Sequence, residues 1–443
     1  MSSKTVTAPA SKSVSHRMVI GAALAAGTST LTNVLESDDL NRTMDIMRTC
    51  GADIVRQAEG VYTVRGVAGT PRGGSSEPAS CYVHESGTTC RLITAVVAAG
   101  LGAFRIHGAP RMHERPIGEL VNALRMAGVE VRYEQQDGYP PLVIDTLGLS
   151  GGSVTIGLDE SSQYLSGLLL AAPQARSMTV NVGGSKVVSW PYVGLTLQAM
   201  EDFGVAFTVE VKGDDDRWAK ADWRTITDIL PGKVRFVVPP GMYRAGEYTV
   251  EGDWSNASYF LAAGAVGDCP VTVRGLRRDS IQGDRAMLDI LQRMGAKISW
   301  DGDAVTVSPA PLTGIEVDMG HCPDLVPTVA VVAAFANGPT TIANVAHLRI
   351  KECDRLASPA NELARAGIKA AVFDDGIMVH GVGKEHIAIA HETVFQAYGD
   401  HRMAMSAAIF EMTGVPVAVD DPECVGKSFP AFWKQWKKVS PCA

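Results

Sequence analysis

What most constrains this chain is a repeat. An Ala/Leu-rich segment that is apolar nearly all round, a break, and a β-branched run recur six times along 443 residues. The copies are Met18–Gly27 with Thr30–Val34, Leu92–Gly102 with Phe104–Ile106, and Tyr164–Ala172 with Met178–Val182. They continue as Ala257–Gly267 with Val271–Arg274, Leu325–Gly338 with Thr340–Val345, and Met403–Gly414 with Val415–Val419. The interval is roughly 70 to 90 residues, room for one supersecondary unit of several elements. Between them lie five copies of a second unit, an amphipathic helix closed by glycine and followed by a hairpin-like strand pair. Its closing dipeptides are Gly51-Ala52, Gly128-Val129, Gly204-Val205, Gly295-Ala296 and Gly367-Ile368, with glycine supplying the left-handed residue that a helix end favours. The sixth copy is incomplete: Phe429–Val439 can form its helix, and the strand around Thr5–Thr7 is expected to complete its sheet, bringing the chain ends together.

A helix that is apolar all round must be buried on every side, whereas one with a polar face belongs outside. Six such units predict an α/β fold of two lobes, three repeats each, with buried parallel helices surrounded by sheets. A boundary is expected near Pro239-Pro240-Gly241, because Tyr248–Ser255 then repeats the layout of Thr5–Ser13, and these two segments become the crossovers between lobes. Residues 11–250 form the first lobe on this reading, and residues 1–10 with 251–443 the second. The polar, Asp- and Trp-containing stretch Lys212–Lys233 reads as an inserted surface loop without an assigned function.

A formal net charge of −8 argues against a nucleic acid or an anionic membrane engaged over a wide surface, while leaving room for a local basic pocket. Met18–Ala26 could pass for the core of a signal peptide, but its recurrence downstream favours a core helix. The longest apolar run, Leu325 to Ala336 with Pro327 inside it, is too short to span a bilayer, so a cytoplasmic protein is expected. The eight cysteines (50, 81, 90, 269, 322, 353, 424 and 442) show no C-x-x-C pair and no metal-ligand spacing. Reduced thiols and no metal site are the expectation.

The segment Pro9–Arg17 opens the first apolar helix with Ser11, Lys12, Ser13 and Arg17. Free backbone N–H groups, the positive helix end and two cations invite an anion, although such a start is also an ordinary solvated cap. Comparable polar groups precede the other apolar helices: Ser86, Gly87, Thr88 and Arg91; Ser161, Ser162 and Gln163; Asp253, Ser255 and Asn256; Asp324; and Asp400, His401 and Arg402. The second helix set adds Arg115, Ser189, Tyr192, Lys351, Glu352 and Arg355 at its starts, and Lys427 before the last helix. If the buried helices of each lobe run parallel, these starts face an interlobe cleft where arginines and lysines can hold phosphate and carboxylate groups together.

These residues, in this order, resemble the 5-enolpyruvylshikimate-3-phosphate synthase family over almost the whole chain. The matching stretches are Ser11-Lys12-Ser13 with Arg17, Pro110-Arg-Met-His-Glu-Arg-Pro-Ile-Gly118, Ser161-Ser-Gln163, Glu251-Gly-Asp with Ser258-Tyr-Phe-Leu261, Lys351-Glu-Cys-Asp-Arg355, Asp400-His-Arg-Met-Ala404 and Lys427-Ser-Phe-Pro430. The resemblance implies two lobes built as inside-out α/β barrels. It implies transfer of the carboxyvinyl group of phosphoenolpyruvate to the 5-hydroxyl of shikimate 3-phosphate, by addition then elimination, without metal or organic cofactor. By position, shikimate 3-phosphate falls to Lys12, Ser13, Arg17, Ser161, Ser162, Gln163, Ser189, Tyr192, Asp324, His347 and Lys351. Phosphoenolpyruvate falls to Lys12, Glu85, Gly87, Arg115, Gln163, Glu352, Arg355, His401, Arg402 and Lys427. Asp324 is the candidate base, and Glu352 and Lys12 are the candidates for proton delivery, though acids near helix starts also serve as caps. The partners implied are these two small molecules, with no nucleic acid and no membrane, and the chain is expected to act as a monomer.

Three departures stand out. Glu85 occupies a position that is usually Asn, putting a carboxylate beside an anionic ligand. His347 stands where some members have Asn, and the amino terminus is short by about one strand. The related UDP-N-acetylglucosamine enolpyruvyl transferase family is disfavoured because its reactive Cys, five residues before the Arg matching Arg115, is here Pro110. A non-catalytic phosphometabolite-binding relative is the other alternative, argued against by Lys12, Asp324 and Glu352 together.

Overall fold

The computed structural model describes residues 3–227, 229–391 and 393–441. Asp228, inside the Lys212–Lys233 stretch, and Cys442 lie outside the described residues. Two compact units divide the chain: Lys12–Val250, and a second that joins the chain's start through Ser11 to everything from Glu251 onward. The first unit therefore runs past Pro239-Pro240-Gly241 to Val250. Its helices are α1 (Lys12–Leu24), α2 (Asp38–Thr49), α3 (Gly87–Ala98), α4 (Gly118–Met126), α5 (Gln163–Ala171) and α6 (Pro191–Asp202). Those of the second are α7 (Trp254–Val266), α8 (Ala286–Met294), α9 (Val326–Ala334), α10 (Ala357–Arg365), α11 (His401–Ala408) and α12 (Phe432–Trp436).

The odd-numbered helices are the apolar ones, and they are buried on all sides. All 13 residues of α7 and all 9 of α9 are buried, as is the whole of α3 except Thr88. Each fully buried Leu or Val contributes about 2 kcal/mol relative to exposure, so these helices carry the cores. The even-numbered helices are one-sided: α8 buries Met287, Leu288, Ile290, Leu291 and Met294 at helical spacing and leaves the rest outward. All five closing glycines adopt positive φ, from 71° at Gly204 to 116° at Gly295, where a side chain would be strained.

Apolar helices link parallel strands. Ala79–Tyr82 and Gly102–His107 flank α3, Gly152–Leu158 and Met178–Val187 flank α5, and Glu316–Asp318 and Asn337–Ala343 flank α9. After each amphipathic helix an antiparallel pair returns, such as Asp53–Ala58 with Val61–Arg65, and Lys297–Asp301 with Ala304–Ser308. Two strands exchange partners. Lys4–Thr7, which leads into α1, pairs in parallel with Val271–Arg274 after α7, while Glu247–Thr249, which leads toward α7, pairs with Thr28–Thr32 after α1.

Several expectations need correction. The amino-terminal strand completes the fourth repeat's sheet rather than the last, because Val271–Arg274 is the parallel edge left open when Glu247–Thr249 pairs elsewhere. The last sheet has two strands of two residues each, Val394–Phe395 and Ala418–Val419. The ends still meet, through Lys4 Nζ, which donates to the carbonyls of Val439 at 2.9 Å and Ser440 at 3.2 Å. The Lys212–Lys233 stretch is not simply a loop: Trp218–Ala221 adds an edge strand against Thr208–Lys212. Cations cover its tryptophan, with Arg235 4.3 Å and Lys212 5.9 Å from the Trp218 ring. In the fifth repeat the helix stops at Ala334 and the strand begins at Asn337; in the sixth the helix tightens to a 3₁₀ turn from Ile409. The final helix shortens to Phe432–Trp436. The seven described cysteines are free, and among the described residues no helix is long and apolar enough to cross a membrane.

Candidate active site

In the unit Lys12–Val250 the predicted residues gather at helix starts. Lys12 opens α1, and its Nζ lies 2.8 Å from Asp39 Oδ2 in the first turn of α2. Arg17, one turn further along α1, is 2% exposed and held by neutral oxygens. Its Nε donates to Thr196 Oγ1 at 2.8 Å, its Nη1 to the Ser13 carbonyl at 2.7 Å, and its Nη2 to Ser166 Oγ at 3.3 Å and the Tyr192 carbonyl at 2.8 Å. Burial pushes its pKa down to about 10, with Tyr192 opposing. Ser189 stands at φ 57°, and its carbonyl accepts the Tyr192 N–H just inside α6.

Gln163 opens α5, with its amide N–H on Ser161 Oγ at 3.2 Å beside buried Ser162. Its side chain accepts from Arg91 Nη1 and donates to Thr88 Oγ1, both at 2.9 Å, tying the start of α5 to that of α3. Arg115 is buried and donates from Nη1 to the Glu85 carbonyl at 3.1 Å. A Cβ on Gly87 would lie 2.5 Å from Arg115 Nη2, so a side chain there would push that guanidinium away from the head of α3.

The second unit holds a denser set. Arg355, 2% exposed, meets three carboxylates: Asp400 at 2.7 and 3.1 Å, Asp324 at 2.9 Å and Glu352 at 2.9 Å. Arg402 donates from Nη2 to the other Asp324 oxygen at 2.8 Å and from Nη1 to Ser255 Oγ. Lys427 Nζ stands 3.5 Å from Glu352 Oε1. Asp400 caps α11 by accepting the Arg402 N–H at 2.9 Å, and His401 Nδ1 lies 3.7 Å from it. His347 is buried, and half-buried Lys351 immediately precedes Glu352. Burial raises the Asp324 pKa, but Arg402, Arg355 and Lys351 outweigh it and hold the carboxyl well below the usual range. Arg355 and Arg402 are correspondingly raised despite burial.

Sequence reasoning missed Asp39, the partner of Lys12, because an acid in the first turn of an amphipathic helix reads as a complement to the dipole. It named Asp400 without a role; a polar start before a buried helix was the only signal. Thr196 and Ser166, which receive Arg17, lie inside apolar helical runs and carried none. Two sets of cations result: in one, Arg17 stands beside neutral acceptors and Lys12 beside Asp39; in the other, Arg355 and Arg402 stand beside carboxylates, an arrangement suited to binding anions and moving protons. Among the described residues no group of three or more His, Cys, Asp or Glu is placed to hold a metal ion.

The family described as EPSP synthase (3-phosphoshikimate 1-carboxyvinyltransferase) matches residues 2–436. A 3-phosphoshikimate 1-carboxyvinyltransferase of Marinomonas sp. (strain MWYL1) is 39% identical over 434 residues, covering 98% of this chain and 96% of the relative. The enzyme of the same name from Shewanella baltica is 40% identical over 437 residues, with the same coverage. Among solved structures, an EPSP synthase from Acinetobacter baumannii superposes with a TM-score of 0.76 at 25% identity, over 98% of this chain and 95% of that one.

Proposed function

The chain belongs to the EPSP synthase family, and from that premise we propose that it transfers the carboxyvinyl group of phosphoenolpyruvate to the 5-hydroxyl of shikimate 3-phosphate, releasing phosphate. In the addition step the hydroxyl oxygen bonds to C2 of phosphoenolpyruvate as the methylene carbon gains a proton. In the elimination step phosphate leaves as that methyl carbon returns a proton. The residue roles assigned by position are part of this proposal, as is an inside-out α/β barrel of three repeats in each unit. It includes action as a monomer in the cytoplasm without a metal or organic cofactor.

One observation carries the catalytic side: Arg355 and Arg402 both converge on Asp324. An ionised Asp324 can accept the hydroxyl proton, yet two guanidiniums make it a weak base. The carboxylate of phosphoenolpyruvate is the natural rival for those guanidiniums, by bidentate geometry. When it takes them, Asp324 loses its stabilising partners and becomes more basic, so base strength is coupled to substrate loading. Glu352, which lies between Arg355 and Lys427, passes the proton of the methylene step on this reading.

The test is phosphate release from phosphoenolpyruvate, with and without shikimate 3-phosphate, in the parent and Asp324→Asn. Release that requires shikimate 3-phosphate and falls about 10²- to 10⁴-fold in the variant is expected. Shikimate 3-phosphate binding without any release would make the chain a binding relative.

A further inference from the structure

His16 sits on α1 between Lys12 and Arg17, fully buried, and no role was assigned to it above. Its Nδ1 lies 2.9 Å from Thr43 Oγ1 on α2, and Thr43 Oγ1 lies 2.9 Å from Thr89 Oγ1 on α3. Thr89 Oγ1 lies 2.7 Å from Ser86 Oγ, and 3.2 Å from the Asp39 carbonyl. Ser86 is the N-cap of α3, accepting the Thr89 N–H at 3.2 Å. All four side chains are completely buried.

Each hydroxyl has one proton, so the directions can be worked out. A carbonyl only accepts, so Thr89 gives its proton to Asp39. Thr89 Oγ1 must then accept from both Ser86 and Thr43. With its proton given to Thr89, Thr43 accepts from the ring, which makes His16 the Nδ1–H tautomer. Its Nε2 is buried and has no hydrogen-bond partner among the described residues, so a second ring proton would have no acceptor. In keeping with this, burial and then Lys12 push the His16 pKa down to about 3, with Asp39 opposing and Arg17 adding to the fall.

We propose that His16 is a positioning residue for carboxyvinyl transfer: its Nδ1–H anchors a chain through Thr43 and Thr89 that holds Asp39 against Lys12 and fixes Ser86 at the head of α3. The groups it positions are Lys12, assigned to both substrates, and the Gly87–Arg115 corner, assigned to phosphoenolpyruvate. Of the serines assigned to shikimate 3-phosphate, Ser161, Ser162 and Ser189 stand on other segments, and Ser13 on α1 itself. The inference rests on Lys12 taking part in the reaction.

The experiment compares His16→Leu, Thr43→Val, their double variant, His16→Asn and Lys12→Met for kcat, KM of each substrate and melting temperature. Loss of one buried hydrogen bond from the chain should lower kcat/KM for phosphoenolpyruvate about tenfold in His16→Leu and in Thr43→Val. KM for shikimate 3-phosphate should change less than that for phosphoenolpyruvate, because Ser161, Ser162, Ser189 and Tyr192 lie off the chain although Lys12, Ser13 and Arg17 share α1 with His16. The double variant should lose little more than the worse single one, since both cut one chain. His16→Asn, which keeps a donor, should recover most of the activity. Thr43→Val is nearly isosteric and carries the test if His16→Leu does not fold. Parental kcat/KM in folded His16→Leu and Thr43→Val, beside an inactive Lys12→Met, would overturn the chain alone. Additive losses shared equally by both substrates would also overturn it, as a merely structural role. Parental turnover in Lys12→Met would remove the premise about Lys12, and the proposal with it.

Discussion

Arg17, in the unit Lys12–Val250, is buried among neutral oxygens, whereas Arg355, in the other unit, is buried among carboxylates. Both are 2% exposed, so burial alone does not distinguish them. Four neutral groups solvate Arg17 without cancelling its charge, and burial draws its pKa down. Three carboxylates surround Arg355, and together they outweigh burial and drive its pKa up. An uncancelled buried cation is a waiting place for an anion. A cation already shared among carboxylates is a device for setting which of them holds a proton, and its removal strands their charges.

The sharpest way to break this contrast is Arg355→Met. Asp400 loses its guanidinium partner, while Asp324 and Glu352 keep Arg402 and Lys427, and the change should cost about 3–5 kcal/mol in urea unfolding, with turnover reduced about 10²- to 10³-fold. Arg17→Gln should behave differently: a stability change within about 1 kcal/mol, since no carboxylate is stranded, but a KM for shikimate 3-phosphate raised about 10- to 100-fold. Equal destabilisation by the two substitutions would erase the distinction.

A third experiment uses pH. His16 has a folded pKa below its unfolded value of 6.5, so the unfolded chain binds the proton first and stability is lost as pH falls from about 6.5 toward 3. The slope should be about 1.4 kcal/mol per pH unit from this residue. Unfolding of His16→Asn at pH 7 and at pH 5 should show a smaller acid loss than the parent. The smallest effect belongs to Glu85→Asn, which removes the carboxylate of the residue whose backbone carbonyl accepts from Arg115 and should lower KM for phosphoenolpyruvate about two- to fivefold. A KM that stays level or rises would end the idea that Glu85 hinders binding.

Much of this was legible in the residues. All-round apolarity in α3, α7 and α9 has one physical solution, enclosure, and the glycines closing α2, α4, α6, α8 and α10 mark helix ends because the next residue must turn left-handed. The partner of Lys4–Thr7 was not legible. Val271–Arg274 is one of several similar β-branched runs, and parallel pairing across such a distance leaves no local trace. Trp218–Ala221 escaped because an edge strand needs no apolar face. In the site, cations announced themselves by standing before apolar helices, while Asp39 and Thr43, on the helix next to them, looked like ordinary surface residues.

The exchanged strands also set an order of events during synthesis. Glu247–Thr249 is translated after Thr28–Thr32, so the stretch Lys12–Val250 can close all its sheets while the rest of the chain is still being made. Lys4–Thr7 cannot: its place is beside Val271–Arg274, which emerges only after that first unit is complete. Lys4–Thr7 is thus an unpaired edge until residues 271–274 are made, short and carrying Lys4, as befits a segment that must stay unclaimed until its neighbour arrives.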